Sequence, residues 1–123
     1  MKRMPVSDMS QEQLIEQFIA VAVEQAKAEF WDDTPAYNRL FEKMEKIEQE
    51  LKSRAGDGRH ALIALLDDEN SYIRLKAAFA TLALSPEAAR AVLEQLSIRN
   101  RPPGATQARS MLRSLEIGRY VPE

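Results

Sequence analysis

The sequence predicts an all-α protein of about six helices arranged in antiparallel pairs. Three observations support this fold class. Residues that favour helices, above all Ala, Leu, Glu, Gln, Arg and Lys, dominate a chain of 123 residues that has only 4 glycines. Apolar residues recur at three- and four-residue spacing in most segments, which is the period of a helix with one buried face. No segment alternates apolar and polar residues in the way that is typical of a strand.

The chain length suits one domain, which we expect to span residues 10–123 after a flexible tail of residues 1–9. The first helix is predicted over residues 11–31. Ser10 and Gln13 have the spacing of a capping box, in which two side chains accept from the first main-chain N–H groups. Its buried face is expected to contain Ile15, Phe18, Ile19, Ala22, Ala26 and Phe30, and to be widened by Leu14, Val21 and Val23.

The aromatic pair Phe30-Trp31 closes the first helix. We interpret it as part of the core, and a partially exposed binding anchor is the alternative.

Thr34 and Pro35 indicate the start of a second helix, because threonine caps helix N-termini and proline suits the first turn. The apolar face of this second helix is expected to consist of Tyr37, Leu40, Phe41, Met44, Ile47 and Leu51.

Four shorter helices are predicted in the second half of the chain. Asp57 is expected to cap a third helix through the apolar run at 61–66. A turn at 67–71 separates it from a fourth helix at 72–82. Ser85 and the following proline begin the fifth helix.

The segment IRNRPPG ends the fifth helix, because a proline pair and a glycine cannot continue it. The sixth helix follows, and Gly118 is placed to end it.

The fourth helix, YIRLKAAFATL, keeps one arginine in a nearly apolar stretch. Ala77 and Ala78 are small, which lets a neighbouring helix approach closely. Arg74 is expected to reach back to Asp67, Asp68 or the carbonyls of the turn before the helix, since a guanidinium can hold such a turn with two hydrogen bonds. The alternative for Arg74 is a contact to an anion or a partner.

The segment from Leu65 to Leu96 resembles a HEAT-like helical repeat. It has a leucine pair, the acidic turn Asp67-Asp68, an aliphatic residue followed by Arg74, the pair Ala77-Ala78, and a proline-led second helix. Thr81 stands where such repeats usually have leucine. Together with QARSMLRSLEIG, the segment is similar to a family of small bacterial all-helical proteins of unknown function. The resemblance implies an α-solenoid-like stack, of either hand, and no catalytic residue.

Composition excludes several classes of function. The chain has no cysteine, so disulfides and thiolate chemistry are absent, which fits a reducing compartment. The longest apolar runs have six residues, far fewer than the roughly 18 that a membrane helix needs. The start of the chain has no apolar run typical of a signal peptide. We therefore expect a cytoplasmic protein without a membrane contact.

No pattern of catalytic, cofactor-binding or metal-binding residues is found. The single histidine, His60, lies in a GDGRH turn with no second histidine to share a metal, and a surface or capping role is favoured. The acidic run 67–69 lacks the spacing of a calcium loop. No nucleophile elbow or phosphate-binding glycine loop is present. We therefore expect no catalytic site, no cofactor and no metal.

The segment 97–119 is basic, although the net charge of the chain is −2. Its candidate partner-binding residues are Arg99, Arg101, Arg109 and Arg113. Phosphate binding by these arginines would make the protein a nucleic-acid binder. The negative net charge and the lack of interleaved aromatic residues argue against that function, and an acidic protein partner is preferred.

These observations favour a non-enzymatic protein-interaction module, such as an adaptor, a regulator or an inhibitor-type partner, because a helical repeat without catalytic residues presents a binding surface. Nucleic-acid binding through the arginine segment is the first alternative. An enzyme with a site built from scattered carboxylates and arginines is the second. The pattern specifies neither the partner nor the oligomeric state.

Overall fold

The computed structural model of the chain describes residues 4–98 and 104–123. These residues form five α-helices and two 3₁₀ helices, and no strand lies among them, which confirms the all-α class. The α-helices are α1 (Gln11–Phe30), α2 (Thr34–Ser53), α3 (Ser71–Thr81), α4 (Pro86–Ser97) and α5 (Ala105–Glu116), and the 3₁₀ helices are Val6–Asp8 and Gly58–Asp67. The chain divides into two compact units, Met1–Ala61 and Leu62–Glu123.

The first unit is built on a hairpin in which α1 and α2 pack against each other. The predicted capping box begins α1, with Gln13 N–H donating to Ser10 Oγ at 3.1 Å and Ser10 N–H donating to Gln13 Oε1 at 2.8 Å. The side chains that the two helices bury completely or nearly so are Leu14, Phe18, Val21, Ala22, Gln25, Ala28, Met44, Ile47 and Leu51.

The buried face of α1 is rotated from the one predicted. Phe18 and Ala22 are buried as expected, but Ile15, Ile19 and Ala26 are only half-buried. Leu14 and Val21, which were expected to widen the face, are buried, and Gln25, which was not expected there, is buried as well. The sequence pattern was ambiguous because α1 is apolar around more than half of its circumference, so its neighbours rather than its own residues select the buried face.

The tail of residues 1–9 is predicted to be flexible, and its mobility stays a prediction. Its described part, residues 4–9, contains the 3₁₀ turn Val6–Asp8. Arg54 Nη2 donates to the carbonyl oxygens of Met9 at 2.7 Å and Val6 at 3.3 Å. The same guanidinium donates from Nε to Glu50 Oε2 at 2.7 Å. Arg54 therefore links the end of α2 to this turn.

The predicted third helix is a 3₁₀ helix rather than an α-helix, and it runs from Gly58 to Asp67. Hydrogen bonds from His60 N–H to Asp57 O and from Asp68 N–H to Leu65 O each span three residues at its two ends. Such i to i+3 bonds define the tighter helix that often connects longer α-helices.

In the second unit, α4 packs against both α3 and α5. Asn70 caps α3, because its Oδ1 accepts from the N–H groups of Tyr72 at 2.9 Å and Ile73 at 3.1 Å. Ser71 is the first residue of the helix. Ser85 precedes α4 as expected, but its side chain makes no capping hydrogen bond there.

Gly104 precedes α5 and lies against α3. Its φ of 99° is a left-handed conformation that glycine adopts freely. A Cβ at this position would lie 3.2 Å from Leu75 Cδ2. Glycine therefore meets both a backbone and a packing requirement where the chain enters α5. In the described parts of the chain, no helix combines the length and apolar content needed to cross a membrane.

Candidate functional site

Two neighbouring aromatic side chains are exposed at the end of α1. Phe30 is 71% exposed and Trp31 is 76% exposed. Their rings are T-shaped, with 5.1 Å between centroids and an interplanar angle of 85°. The prediction that this pair lies in the core is wrong, and the alternative, that its side chains are exposed, is correct. We call Phe30 and Trp31 the aromatic tip.

A short turn with a left-handed residue follows the aromatic tip. Asp32 has a left-handed φ of 54°, which reverses the chain within three residues. Asp33 N–H donates to Ala28 O at 2.8 Å and closes α1. Asp33 Oδ1 accepts from Ala36 N–H at 3.1 Å and caps α2. Asp33 thus joins the two helices in a short turn, and the aromatic tip projects from the end of the hairpin.

Sequence reasoning assigned the α2 cap to Thr34, which is instead the first residue of the helix. The pair Asp32-Asp33 was a usable signal, because Asp tolerates a left-handed φ and is a strong helix cap. A turn at these residues ends α1 at Phe30, directly beside the aromatic tip.

Arg74 contacts the turn before α3. Its Nη1 donates to Asp68 O at 2.6 Å and to Glu69 O at 3.2 Å. These bonds go to main-chain carbonyls, one of the alternatives that the sequence left open. The Asp68 carboxylate lies within the same turn and accepts from Asn70 N–H at 2.8 Å, while Asp67 is exposed.

The small residues of α3 are fully buried. Ala77 and Ala78 both have no exposed surface, which is compatible with close helix packing. Thr81, the departure from the repeat pattern, is also fully buried. Its Oγ1 donates to Ala77 O at 2.8 Å, so the hydroxyl is satisfied within α3. Thr81 therefore occupies a core position without leaving its hydroxyl unpaired.

The candidate arginines are only partly described. Arg99 and Arg101 lie outside the described residues. Arg109 is exposed, and its guanidinium donates to Ser97 O at 2.8 Å, at the end of α4, and to Thr106 Oγ1 at 3.4 Å. A cation at the carboxyl end of a helix interacts favourably with the helix dipole. Arg113 is exposed one turn further along α5.

A buried lysine was missed by sequence reasoning. Lys76 is 5% exposed, and its Nζ donates to Gln107 Oε1 at 3.1 Å. Its ammonium lies 5.1 Å from the ring centroid of Tyr72 and 5.4 Å from that of Phe79. Gln107 Nε2 in turn donates to the Tyr72 hydroxyl at 3.0 Å. The spacing of Tyr72, Lys76 and Phe79 on one face of α3 was the available signal.

A shallow cavity of about 570 Å³ lies next to this lysine network. Its lining includes Phe79, Gln107, Ser110, Met111, Ser114 and Tyr120. The main-chain N–H groups of Arg119 and Tyr120 donate to Ser114 O at 3.0 and 3.2 Å, which turns the chain back at the end of α5.

The GDGRH turn is held by an ion pair. The Arg59 guanidinium donates to both carboxylate oxygens of Asp57, with Nε to Oδ1 at 2.9 Å and Nη2 to Oδ2 at 2.7 Å. The hydrogen bond from the Arg59 side chain lowers the pKa of Asp57 from 3.8 to about 2. Arg59 N–H also donates to Asp57 Oδ1 at 3.1 Å. Asp57 itself has a left-handed φ of 62°.

His60 is exposed, and its Nδ1 lies 2.9 Å from Asp57 O. Among residues 4–98 and 104–123, no group of three or more His, Asp or Glu side chains is placed to hold a metal ion.

One buried polar side chain is not explained by its surroundings. Gln25 lies on the buried face of α1 with no exposed surface. Neither its amide nitrogen nor its amide oxygen has a hydrogen-bond partner in the structure. Unsatisfied buried polar groups are rare because each one carries a desolvation cost.

Comparison with known proteins extends the sequence resemblance. A family model described as a domain of unknown function (DUF2019) matches residues 12–116. The crystal structure of the protein RPA1889 from Rhodopseudomonas palustris CGA009 is similar, with a TM-score of 0.90 and 36% sequence identity over 98% of this chain and 100% of that chain. No curated protein matches. This fold is therefore present in a bacterial protein of nearly the same length.

Proposed function

Because the chain belongs to the DUF2019 family, whose function is unknown, we propose a function from its own surface: it is a non-enzymatic module that binds a partner protein. The observation that carries this proposal is the exposure of the aromatic tip, Phe30 and Trp31. Tryptophan and other aromatic residues are enriched at the centres of protein interfaces, where their large faces are desolvated by the partner.

The form of the aromatic tip supports this assignment. Two adjacent rings contact each other edge to face, and the short turn that follows them is held by main-chain and side-chain hydrogen bonds. Side chains with few rotatable bonds lose little entropy when a partner covers them. The tip therefore has the character of a preorganised anchor.

We include in the proposal that the second unit forms a HEAT-like repeat. The carbonyl contacts of Arg74, the buried pair Ala77-Ala78 and the proline that begins α4 support it. In this proposal α3 and α4 form the repeat, and α5 continues the stack. A cytoplasmic location is also proposed, and it is supported by the absence of cysteine from the whole chain.

Nucleic acid is the less favoured partner. The guanidinium of Arg109 already bonds to Ser97 and Thr106, and the net charge of the chain is −2. An electrostatic contact to phosphates needs a cluster of available cations. The exposed aromatic tip is a more specific feature than these arginines, and it favours a protein.

Affinity capture with matched variants tests the proposal. The bait proteins are the wild type, the double variant Phe30→Ser/Trp31→Ser, and the control Phe41→Ser, which removes another exposed aromatic side chain from the same unit. We expect the wild type and the control to retain the same specific protein, and the double variant to lose it while keeping its helical circular dichroism. Equal capture by all three baits would contradict the role of the tip.

A further inference from the structure

We infer that the segment docked by the aromatic tip is basic and presents arginine or lysine side chains to Phe30 and Trp31. This inference rests on the proposed function and adds the chemistry of the partner. It follows from the charges around the tip, from the chemistry of the exposed rings, and from the arrangement of the turn that joins α1 to α2.

The chain at the aromatic tip carries more negative than positive charge. Residues 28–37, AEFWDDTPAY, contain Glu29, Asp32 and Asp33 and no basic residue, and the nearest basic residues along the chain are Lys27 and Arg39. Lys27, which precedes this stretch, already forms an ion pair with Glu24 at 3.3 Å. The tip also follows the carboxyl end of α1, where the helix dipole adds partial negative charge.

Exposed aromatic rings that lie next to carboxylates bind cations favourably. The face of an indole ring attracts an ammonium or guanidinium through the ring quadrupole, and tryptophan is the strongest of the aromatic side chains in this respect. A guanidinium that stacks on Trp31 also has carboxylates nearby to accept its N–H groups. The nearby carboxylates and the exposed rings therefore both favour a cationic side chain on the partner.

The same charges disfavour other occupants. An acidic peptide, an anionic membrane surface or a nucleic acid would bring negative charge against Asp32 and Asp33. A second copy that docked tip to tip would place two sets of carboxylates together, and like charges at an interface are unfavourable. A basic protein segment is the occupant that the charges complement.

The chain provides its own probe, because Trp31 is its single tryptophan. The titrants are a tryptophan-free peptide rich in arginine and lysine, and a peptide of equal length in which glutamate replaces each basic residue. We expect the basic peptide to change Trp31 emission saturably and to bind about tenfold or more tightly than the acidic one, from combined cation–π and ion-pair contacts. Added salt should weaken this binding, because the carboxylates are exposed.

One substitution removes charge from the tip without straining the turn. Asparagine tolerates the left-handed φ that Asp32 adopts, so Asp32→Asn changes the charge and keeps the backbone. We expect it to weaken binding of the basic peptide by about twofold to fivefold, the range for one exposed ion pair. Glu94→Gln, which neutralises an exposed acid on α4, serves as the control and should leave the affinity unchanged.

The results separate this inference from the proposed function. Equal or tighter binding of the acidic peptide, or an Asp32→Asn variant with unchanged affinity, would overturn the basic partner. Protein-concentration-dependent emission together with a dimer mass would replace it by a second copy. In any of these cases the capture experiment with Phe30→Ser/Trp31→Ser still decides whether the tip binds a protein.

Discussion

Arg74 holds the turn before α3 by two bonds to main-chain carbonyls. Replacing it by alanine leaves those acceptors without their donor, so Arg74→Ala should lower the free energy of unfolding by about 1–3 kcal/mol. Urea denaturation measures the change, and Arg90→Ala, at an exposed position of α4, is the control with little expected effect. If Arg74→Ala unfolds like the wild type, a contact to a partner becomes the better explanation of this arginine.

Asp57 makes the stability of its turn dependent on pH. The Arg59 side chain lowers its pKa to about 2 in the folded chain, from 3.8. A carboxyl group with a lowered pKa stabilises the folded state above the higher value, and this contribution is lost as pH falls from about 4 to about 2. With allowance for solvent screening, it amounts to about 1 kcal/mol.

The variant Asp57→Asn checks this expectation, because asparagine also adopts a left-handed φ. Its unfolding free energy should lie below that of the wild type at pH 7, and the gap should narrow toward pH 2. Chemical denaturation at a series of pH values measures both. A gap of constant size would show that the carboxyl charge is not its source.

Gln25 is expected to be a destabilising residue of the core. Methionine has nearly the same shape, and it has no amide to desolvate. Gln25→Met should therefore raise the free energy of unfolding by about 1 kcal/mol, since a buried polar group without partners is replaced by an apolar one. Gln95→Met, at an exposed site on α4, should change it little. A loss of stability in Gln25→Met would indicate that water or another group satisfies this amide.

At the scale of single helices, the start of a helix was predictable where one residue type determines it. The capping box of Ser10 and Gln13 and the proline that begins α4 were read correctly from the sequence, because the first N–H groups of a helix need acceptors and proline lacks one such donor. The buried face of α1 was predicted only in part, because several faces of that helix are apolar and only packing selects one.

The α1–α2 turn depends on a cap that the sequence did not single out. Asp33→Ala removes the acceptor for Ala36 N–H and should lower the free energy of unfolding by about 0.5–2 kcal/mol. Thermal unfolding followed by circular dichroism measures the loss, with Thr34→Ala as the control because Thr34 is not the cap. A greater loss in Thr34→Ala than in Asp33→Ala would contradict this assignment.

Across the whole molecule, the fold class followed from composition and periodicity, but the candidate site did not. The helical period requires only a buried stripe, and every apolar residue near that stripe matches the period equally well. Phe30 and Trp31 were assigned to the core for this reason. They lie beside a turn in which Asp32 has a left-handed φ, a backbone feature that the hydrophobic period does not report.

In the arginine segment, residues 97–119, the sequence predicted the charge but not the contacts. Its charge was visible in the sequence, but the partners of Arg109 were not. Those partners, Ser97 and Thr106, are supplied by the end of α4 and the first turn of α5. Charge counted along the chain therefore does not show which hydrogen bonds the Arg109 guanidinium makes in the fold.

Site-specific photo-crosslinking in the cell that expresses the protein tests the central claim most directly. A benzophenone side chain replaces Trp31 in one variant and Phe41 in the control, since both positions are exposed in the first unit. If the aromatic tip is a docking surface, irradiation yields a crosslinked species of one discrete mass from position 31, and not from position 41. Background crosslinking from position 31, or the same products from both positions, would contradict the claim.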